Sequence, residues 1–234
     1  MKLNLGRTLM LLLGLSAAMF GSSAQAQVDP NSYFYLAHAA SGRQYDGGNP
    51  AFPLDVSLNG VCISKGQSFG EIRGPFSAPA ASFTFVFSAA NSLDPCSNPA
   101  LYSFTRSTSA GTTYVAALTL NGSNALTSLV STANLSTVGA KKSRLVVVNA
   151  TQNSLTATLK GSTTQTAPIA ASSFSTFLPP AGMYAASISS GATTETGPVN
   201  VNLLQNNVYI FVVAGSTSNS SIQLFGPKPI WDAF

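Results

Sequence analysis

The sequence predicts an all-β protein made of two tandem immunoglobulin-like β-sandwiches, and three observations carry this. Short β-branched and aromatic runs alternate with polar residues at a period of two, separated by clusters of Gly, Pro, Asn and Ser. No amphipathic helical period occurs after the N-terminal segment. The order of the apolar runs recurs in the two halves of the chain. The 234 residues are 45% hydrophobic, with 14 Phe and 7 Tyr, enough apolar mass for ordered sandwich cores. Only 8% are charged, against about 25% in average soluble domains, so Ser, Thr, Asn and Gly must cover the surface.

The first element is a secretory signal peptide at residues 1–26. Lys2 and Arg7 form its positive segment, and residues 8–20, with Leu9, Met10, Leu11, Leu12 and Leu13, its apolar segment. Ala24-Gln25-Ala26 is a small-x-small cleavage site, so the exported chain is expected to start at Gln27. The apolar segment is shorter than the roughly 20 residues of a membrane span. No Cys follows it for lipid attachment, and later apolar runs such as 208–214 are strand-length. Loss of Lys2 and Arg7 lowers the Lys and Arg count from 11 to nine against seven acids, a net +2. The remaining cations are scattered apart from Lys141, Lys142 and Arg144, which argues against a nucleic-acid partner.

The first sandwich is expected over residues 27–138. Its strands are legible at 33–36, 54–58, 83–87 and 114–120, and Asn59-Gly60 is a hairpin turn. Cys62 and Cys96 are the two cysteines of the chain, and export predicts a disulfide between them. Closing a loop of that length contributes roughly 2–4 kcal/mol. The second sandwich is expected over 139–226, with strands at 145–148, 155–159, 183–188 and 208–213. The copies match in order. Residues 33–39 read against 144–150, Leu54-Asp55-Val56-Ser57-Leu58-Asn59-Gly60 against Leu155-Thr156-Ala157-Thr158-Leu159-Lys160-Gly161, and Ser68-Phe69 against Ser173-Phe174. Residues 82–87 then answer 183–188, and 110–115 answer 205–210. The first copy carries insertions near 44–52 and 94–102, and each copy is expected to hold six or seven strands. Residues 227–234 form a C-terminal tail whose prolines favour an extended conformation and which is expected to pack across the domain seam, with docking on a partner as the alternative.

Each copy resembles the bacterial domain of unknown function 4397, a secreted β-sandwich family. In the first copy the resemblance rests on Leu36-Ala37-His38-Ala39-Ala40-Ser41, the 54–60 stretch, Phe69-Gly70 and Ala110-Gly111-Thr112-Thr113-Tyr114-Val115. In the second it rests on Val147-Val148-Asn149-Ala150, Leu178-Pro179-Pro180-Ala181-Gly182-Met183-Tyr184 and Asn206-Asn207-Val208-Tyr209-Ile210. The second copy lacks the His and the Asp, so a site built on His38 or Asp55 would exist once. In leader, length and paired halves the chain also resembles the AlgF type of periplasmic alginate O-acetylation protein. These resemblances imply a bacterial protein, periplasmic or secreted.

The chemistry-bearing residues are few. His38 is the sole histidine. Without a second His, Cys or carboxylate at ligand spacing it makes a poor metal site, and it reads as a polar side chain bonding backbone at a strand end. Gly66-Gln67-Ser68-Phe69-Gly70 fits the G-x-S-x-G nucleophile pattern, but no helix follows and the His precedes the Ser, the wrong order for that motif. The carboxylates Asp29, Asp46, Asp55, Glu71, Asp94, Glu195 and Asp232 are mostly isolated near turns. Asp55 and Glu71 could meet across strands as glycoside-cleaving acids would, but Asp55 reads instead as a strand or turn residue. The loop Asp46-Gly47-Gly48-Asn49-Pro50 lacks calcium-ligand spacing, and no P-loop, Rossmann or zinc motif appears. Neither a catalytic residue nor a metal or cofactor is therefore expected.

Tyr33 and Tyr35 are expected to face a core, whereas Tyr45 and Phe52, beside Arg43, are expected to be exposed and to form with Trp231 a contact surface for a protein or a sugar. Lys141-Lys142-Ser143-Arg144 reads as a solvated linker. The expectation is a non-enzymatic, exported cell-envelope protein with a binding or structural role toward an envelope protein or polysaccharide. The alternative is a periplasmic accessory of exopolysaccharide acetylation or export.

Overall fold

The computed structural model describes residues 29–134, 138–139, 141–215 and 222–230. The expected signal peptide with its cleavage site, and Trp231, lie outside the described residues. The first unit runs β1 (Asn31–His38), a single-turn helix α1 (Gly42–Tyr45), β2 (Leu54–Leu58), β3 (Val61–Gln67), β4 (Ile72–Pro79), β5 (Ser82–Ala89), β6 (Ala100–Ser107), β7 (Thr113–Leu120) and β8 (Leu126–Ala133). The second runs β9 (Arg144–Asn149), β10 (Leu155–Lys160), β11 (Thr164–Ile169), β12 (Ser173–Phe177), β13 (Gly182–Ser190), β14 (Thr193–Leu203), β15 (Val208–Ala214) and β16 (Gln223–Ile230). Each unit thus has eight strands among the described residues, where six or seven were expected. The sheets are β4-β1-β7-β8 and β3-β2-β5-β6 in the first unit, and β12-β9-β15-β16 and β11-β10-β13-β14 in the second. The two strand orders correspond one to one.

Register follows turn chemistry. Asn59 and Gly60 both have positive φ, 49° and 82°, the backbone of a two-residue hairpin whose twist matches its strands. β2 then pairs with β3 and β5 as β10 pairs with β11 and β13. The Ser68-Phe69 match with Ser173-Phe174 is displaced in space. Phe174 lies opposite Val148 as Ile72 lies opposite Ala37, so its counterpart in space is Ile72 and not Phe69.

The units share an apolar seam. On β1, Phe34 and Leu36 point into the first sandwich core with Phe83, Phe85 and Tyr114. Tyr35 and Ala37, on its other face, pack with Val115 and Ala117 of β7 against Val146 and Val148 of β9 and Ile210 and Val212 of β15. The inner sheets of the two units therefore lie back to back, giving four layers with three apolar interfaces. This explains why β1, β7, β9 and β15 are apolar on both faces. β1 pairs with β7 and β9 with β15 in parallel, the arrangement that goes with strands covered on both sides.

The seam cluster contains Ala37, Ala39, Ala117, Ala133, Ala150 and Ala214, whereas the first core is filled by Phe rings that meet edge-on, as Phe34 and Phe83 do at 5.1 Å. Small side chains let the two inner sheets approach closely. Ala117 is fully buried there, so Ala117→Leu is expected to overpack the seam and cost about 1–3 kcal/mol, read as a lowered urea midpoint.

Two expectations are corrected here. The stretch 141–144 is solvated only at Lys141 and Lys142, which are exposed: Ser143 is buried and donates to the Leu204 carbonyl at 2.7 Å. Arg144 is a buried residue of β9 whose guanidinium donates to the Asn134 carbonyl, tying the end of β8 to the start of the second unit. The expected tail is also shorter, since residues 227–230 are the end of β16, with Val208 opposite Ile230. Ile230 is buried in the seam, and the energy of that burial keeps the proline-containing segment in the sheet.

Candidate functional site

Asp55 sits on β2 with its carboxylate buried. Its Oδ1 accepts from the Gly66 N–H at 2.8 Å, and its Oδ2 accepts from the Asn91 and Cys96 N–H groups, both at 2.9 Å. One side chain thereby holds the end of β3 and the long loop between β5 and β6. The same loop is tied by the Cys62–Cys96 disulfide, which the sequence predicted. Burial pushes the Asp55 carboxyl up, but the three backbone donors outweigh it and hold it below the ordinary value. Asp55 is an anchor, and its partners are not those of Glu71.

Glu71 accepts from Arg73 at 2.5 Å and from the Ser68 N–H at 3.2 Å. Arg73 also donates to the Ser64 hydroxyl and the Lys65 carbonyl. Gln67, buried, donates to the Leu36 and Glu71 carbonyls. The Gly66–Gly70 turn thus joins two strands and closes the end of the sandwich. Its second glycine is required by contact: a Cβ on Gly70 would lie 2.3 Å from the ring of Phe225, which packs edge-on against Phe69 across the seam at 5.1 Å.

His38 ends β1 and is buried. Its Nε2–H donates to the Phe52 carbonyl at 2.7 Å, and its Nδ1 accepts from the Ala40 N–H at 3.4 Å. Both ring nitrogens are committed to backbone, so neither is available to take a proton from Ser68. Burial pushes the imidazole down to about 4, against smaller opposing effects of the Phe52 carbonyl and Glu71. In the second unit Asn149 occupies this place and donates to the carbonyls of Asn153, Ile169 and Ala170. Among the described residues no group of three or more His, Cys, Asp or Glu is placed to hold a metal ion.

The expected contact surface is partly redrawn. Tyr45 and Phe52 meet with ring centroids 5.0 Å apart and planes tilted by 30° and are half-buried against the first core, rather than exposed. The insertion folds down as α1 because Gly42 lies under Asn49 and Phe52, where a Cβ would meet the Asn49 carbonyl at 2.0 Å. Arg43 remains exposed. It lines a cavity of about 240 Å³ with Ser41, Pro50, Phe69 and Gln223. Next to it, with Gly215 common to both, lies a cavity of about 230 Å³ lined by Gln44, Asn121 and Asn124 of the first unit and Gln152 and Asn153 of the second.

The walls of the second cavity are held in place. Gln152 donates to the Leu120 carbonyl at 2.6 Å, Thr119 to the Ala150 carbonyl at 2.6 Å, and Asn121 Oδ1 accepts three hydrogen bonds within its own turn. The side-chain amides of Gln44 and Asn124 carry no hydrogen bond to other described residues. The polar part of the lining is amide and hydroxyl, the rest is Leu120, alanine and glycine, and none of it is charged. Sequence reasoning missed Gln44, Asn124 and Gln152 because they come from α1, the β7–β8 turn and the β9–β10 loop, and no linear motif links them.

No family model and no curated protein matches this chain. Among solved structures it is similar to the Bacillus anthracis TIE protein, at 9% identity and a TM-score of 0.26. That match covers 80% of this chain and 34% of the other, so the chain spans about a third of that protein's length.

Proposed function

We propose that this chain is an exported, non-catalytic protein of the bacterial cell envelope that binds a hydroxyl-rich, uncharged glycan at the end of the seam between its two sandwiches. The carrying observation is the cavity of about 230 Å³ whose walls of Asn, Gln and Thr come from both units. Amides both donate and accept, which suits hydroxyl groups, and a rigid frame avoids the cost of ordering loops on binding. The disulfide suits an oxidising compartment, and no helix among the described residues is long and apolar enough to cross a membrane. The corresponding strand orders support a duplicated unit, in keeping with the resemblance to the domain of unknown function 4397.

Neutral oligosaccharides of envelope polymers are expected to bind the purified chain in calorimetry, with affinity insensitive to salt. The double variant Gln44→Ala, Asn124→Ala is expected to weaken binding at least about tenfold, as loss of two hydrogen-bonding groups would. Absence of binding across such a panel, or equal affinity in the variant, would remove this reading. A second reading, accessory to exopolysaccharide acetylation, is favoured by Arg43 in the adjoining cavity. It predicts binding to acidic chains that weakens with salt and is lost in Arg43→Ala.

A further inference from the structure

The two side walls of the four-layer block treat their strand edges differently. On one wall lie β3, β4, β16 and β14, and each pairs with its neighbour through a register break. Three of these edges also carry a Gly-Pro step, at Gly74-Pro75, Gly226-Pro227 and Gly197-Pro198. Breaks and prolines are the ordinary means of keeping an edge from pairing with another chain. On the opposite wall, β11 carries Pro168, β12 has five residues, and β6 has Arg106 and a register break. β8 has none of these devices. Its eight residues, Leu-Thr-Ser-Leu-Val-Ser-Thr-Ala, pair with β7 without a break, and they include no charge and no proline.

The Asn121 N–H bonds the Ala125 carbonyl, which sets the alternation of hydrogen-bonded pairs down this hairpin. It turns the main-chain groups of Thr127, Leu129, Ser131 and Ala133 toward β7. Those of Leu126, Ser128, Val130 and Thr132 point outward. Leu126 and Val130 pack on the first core, and Leu129 on the seam, so the strand is held flat from both faces.

We propose that β8 is a self-association edge: it pairs antiparallel with β8 of a second copy of this chain, about a two-fold axis at Leu129. The four outward residues lie symmetrically about Leu129. The axis therefore sets Ser128 opposite Val130 of the second copy and Leu126 opposite Thr132 of the second copy. Every outward donor then meets an outward acceptor, forming about eight main-chain hydrogen bonds. An uncharged strand meets no like-charge repulsion on pairing with itself, and the contact is isologous and closes at two copies. The sheet β4-β1-β7-β8 becomes continuous across the dimer.

Sedimentation of the purified chain is expected to give twice the chain mass at about 100 µM, a concentration at which a micromolar dimer is almost fully formed. Ser128→Pro removes an outward donor without touching the ladder to β7, and is expected to weaken the dimer at least about tenfold. Ser128 also bonds the Tyr102 hydroxyl at 3.1 Å. Ser128→Ala gives up that contact alone and is expected to remain dimeric. Circular dichroism checks that each variant is folded, and Leu129→Cys, whose thiols meet at the axis, is expected to cross-link two copies on mild oxidation. A single-copy mass for the unaltered chain overturns the proposal. A dimer that persists in folded Ser128→Pro, or fails to cross-link in Leu129→Cys, also overturns it.

Discussion

Asp55→Ala is expected to lower the unfolding free energy by about 3 kcal/mol or more, the largest effect of any single polar substitution in the first unit. The carboxylate is buried and takes three backbone N–H groups. Removing it strands those donors, each costing roughly 1–3 kcal/mol where water cannot replace the partner. The disulfide still tethers Cys96, so the loop between β5 and β6 is expected to loosen while the sandwich persists. Hydrogen exchange at Gly66, Asn91 and Cys96 reads this directly. Asp55→Asn keeps an acceptor and is expected to lose less. Unchanged exchange at these three amides in Asp55→Ala would refute the anchoring role.

Acidification from pH 7 to pH 4 is expected to destabilise the protein by up to about 3 kcal/mol through His38 alone. The ring is held neutral, with its titration lowered from 6.5 to about 4. Between those values the unfolded chain binds the proton and the folded chain does not, so stability rises with pH across that window and is fully present above about 6.5. Below about 4 both states are protonated and this contribution levels off. Asp55 acts in a separate window. Its folded carboxyl titrates below the ordinary 3.8, so its contribution holds above that value and is lost only as pH falls through the folded one. Urea midpoints measured from pH 7 to pH 4 are expected to fall in the unaltered chain. In His38→Gln, whose amide can still donate to the Phe52 carbonyl, they are expected to stay nearly flat. The same slope in both would show that another group titrates.

Much of the first-order architecture was legible. Leu54, Val56 and Leu58 alternate with polar residues and run into Asn59-Gly60, so their strand and hairpin could be read locally. Cys62 and Cys96 pair by elimination once export is expected from the N-terminal segment, and the disulfide is present. His38 was read as a strand-end side chain bonding backbone, and its two ring contacts to backbone agree with that. The insertion at 44–52 was harder. Tyr45 and Phe52 sit among Asp, Gly, Asn and Pro, a composition typical of exposed loops, but the loop folds back over the first core through α1. Residues 227–230 were misassigned because their prolines speak for an extended chain and do not say whether a neighbouring strand is there to receive it. Arg144 was misread for a related reason: a cation beside two lysines resembles a solvated run until the Asn134 carbonyl supplies its partner.

Alternation and turn residues determined, from the sequence alone, that the chain forms short strands, and the recurring order of its apolar runs that they make two sandwich units. Which layers touch was decided by tertiary structure. β1, β7, β9 and β15 are apolar on both faces, and such a run reads the same whether its second face meets solvent-excluding loops, a membrane or another sheet. Burial depends on what lies opposite, here Val146 and Val148 facing Tyr35 and Ala37 from far along the chain, and period-two patterns carry no record of it. The seam and the cavity at its end arise from that one pairing of inner sheets, and the outward edge of β8 from its place at the end of the sheet β4-β1-β7-β8.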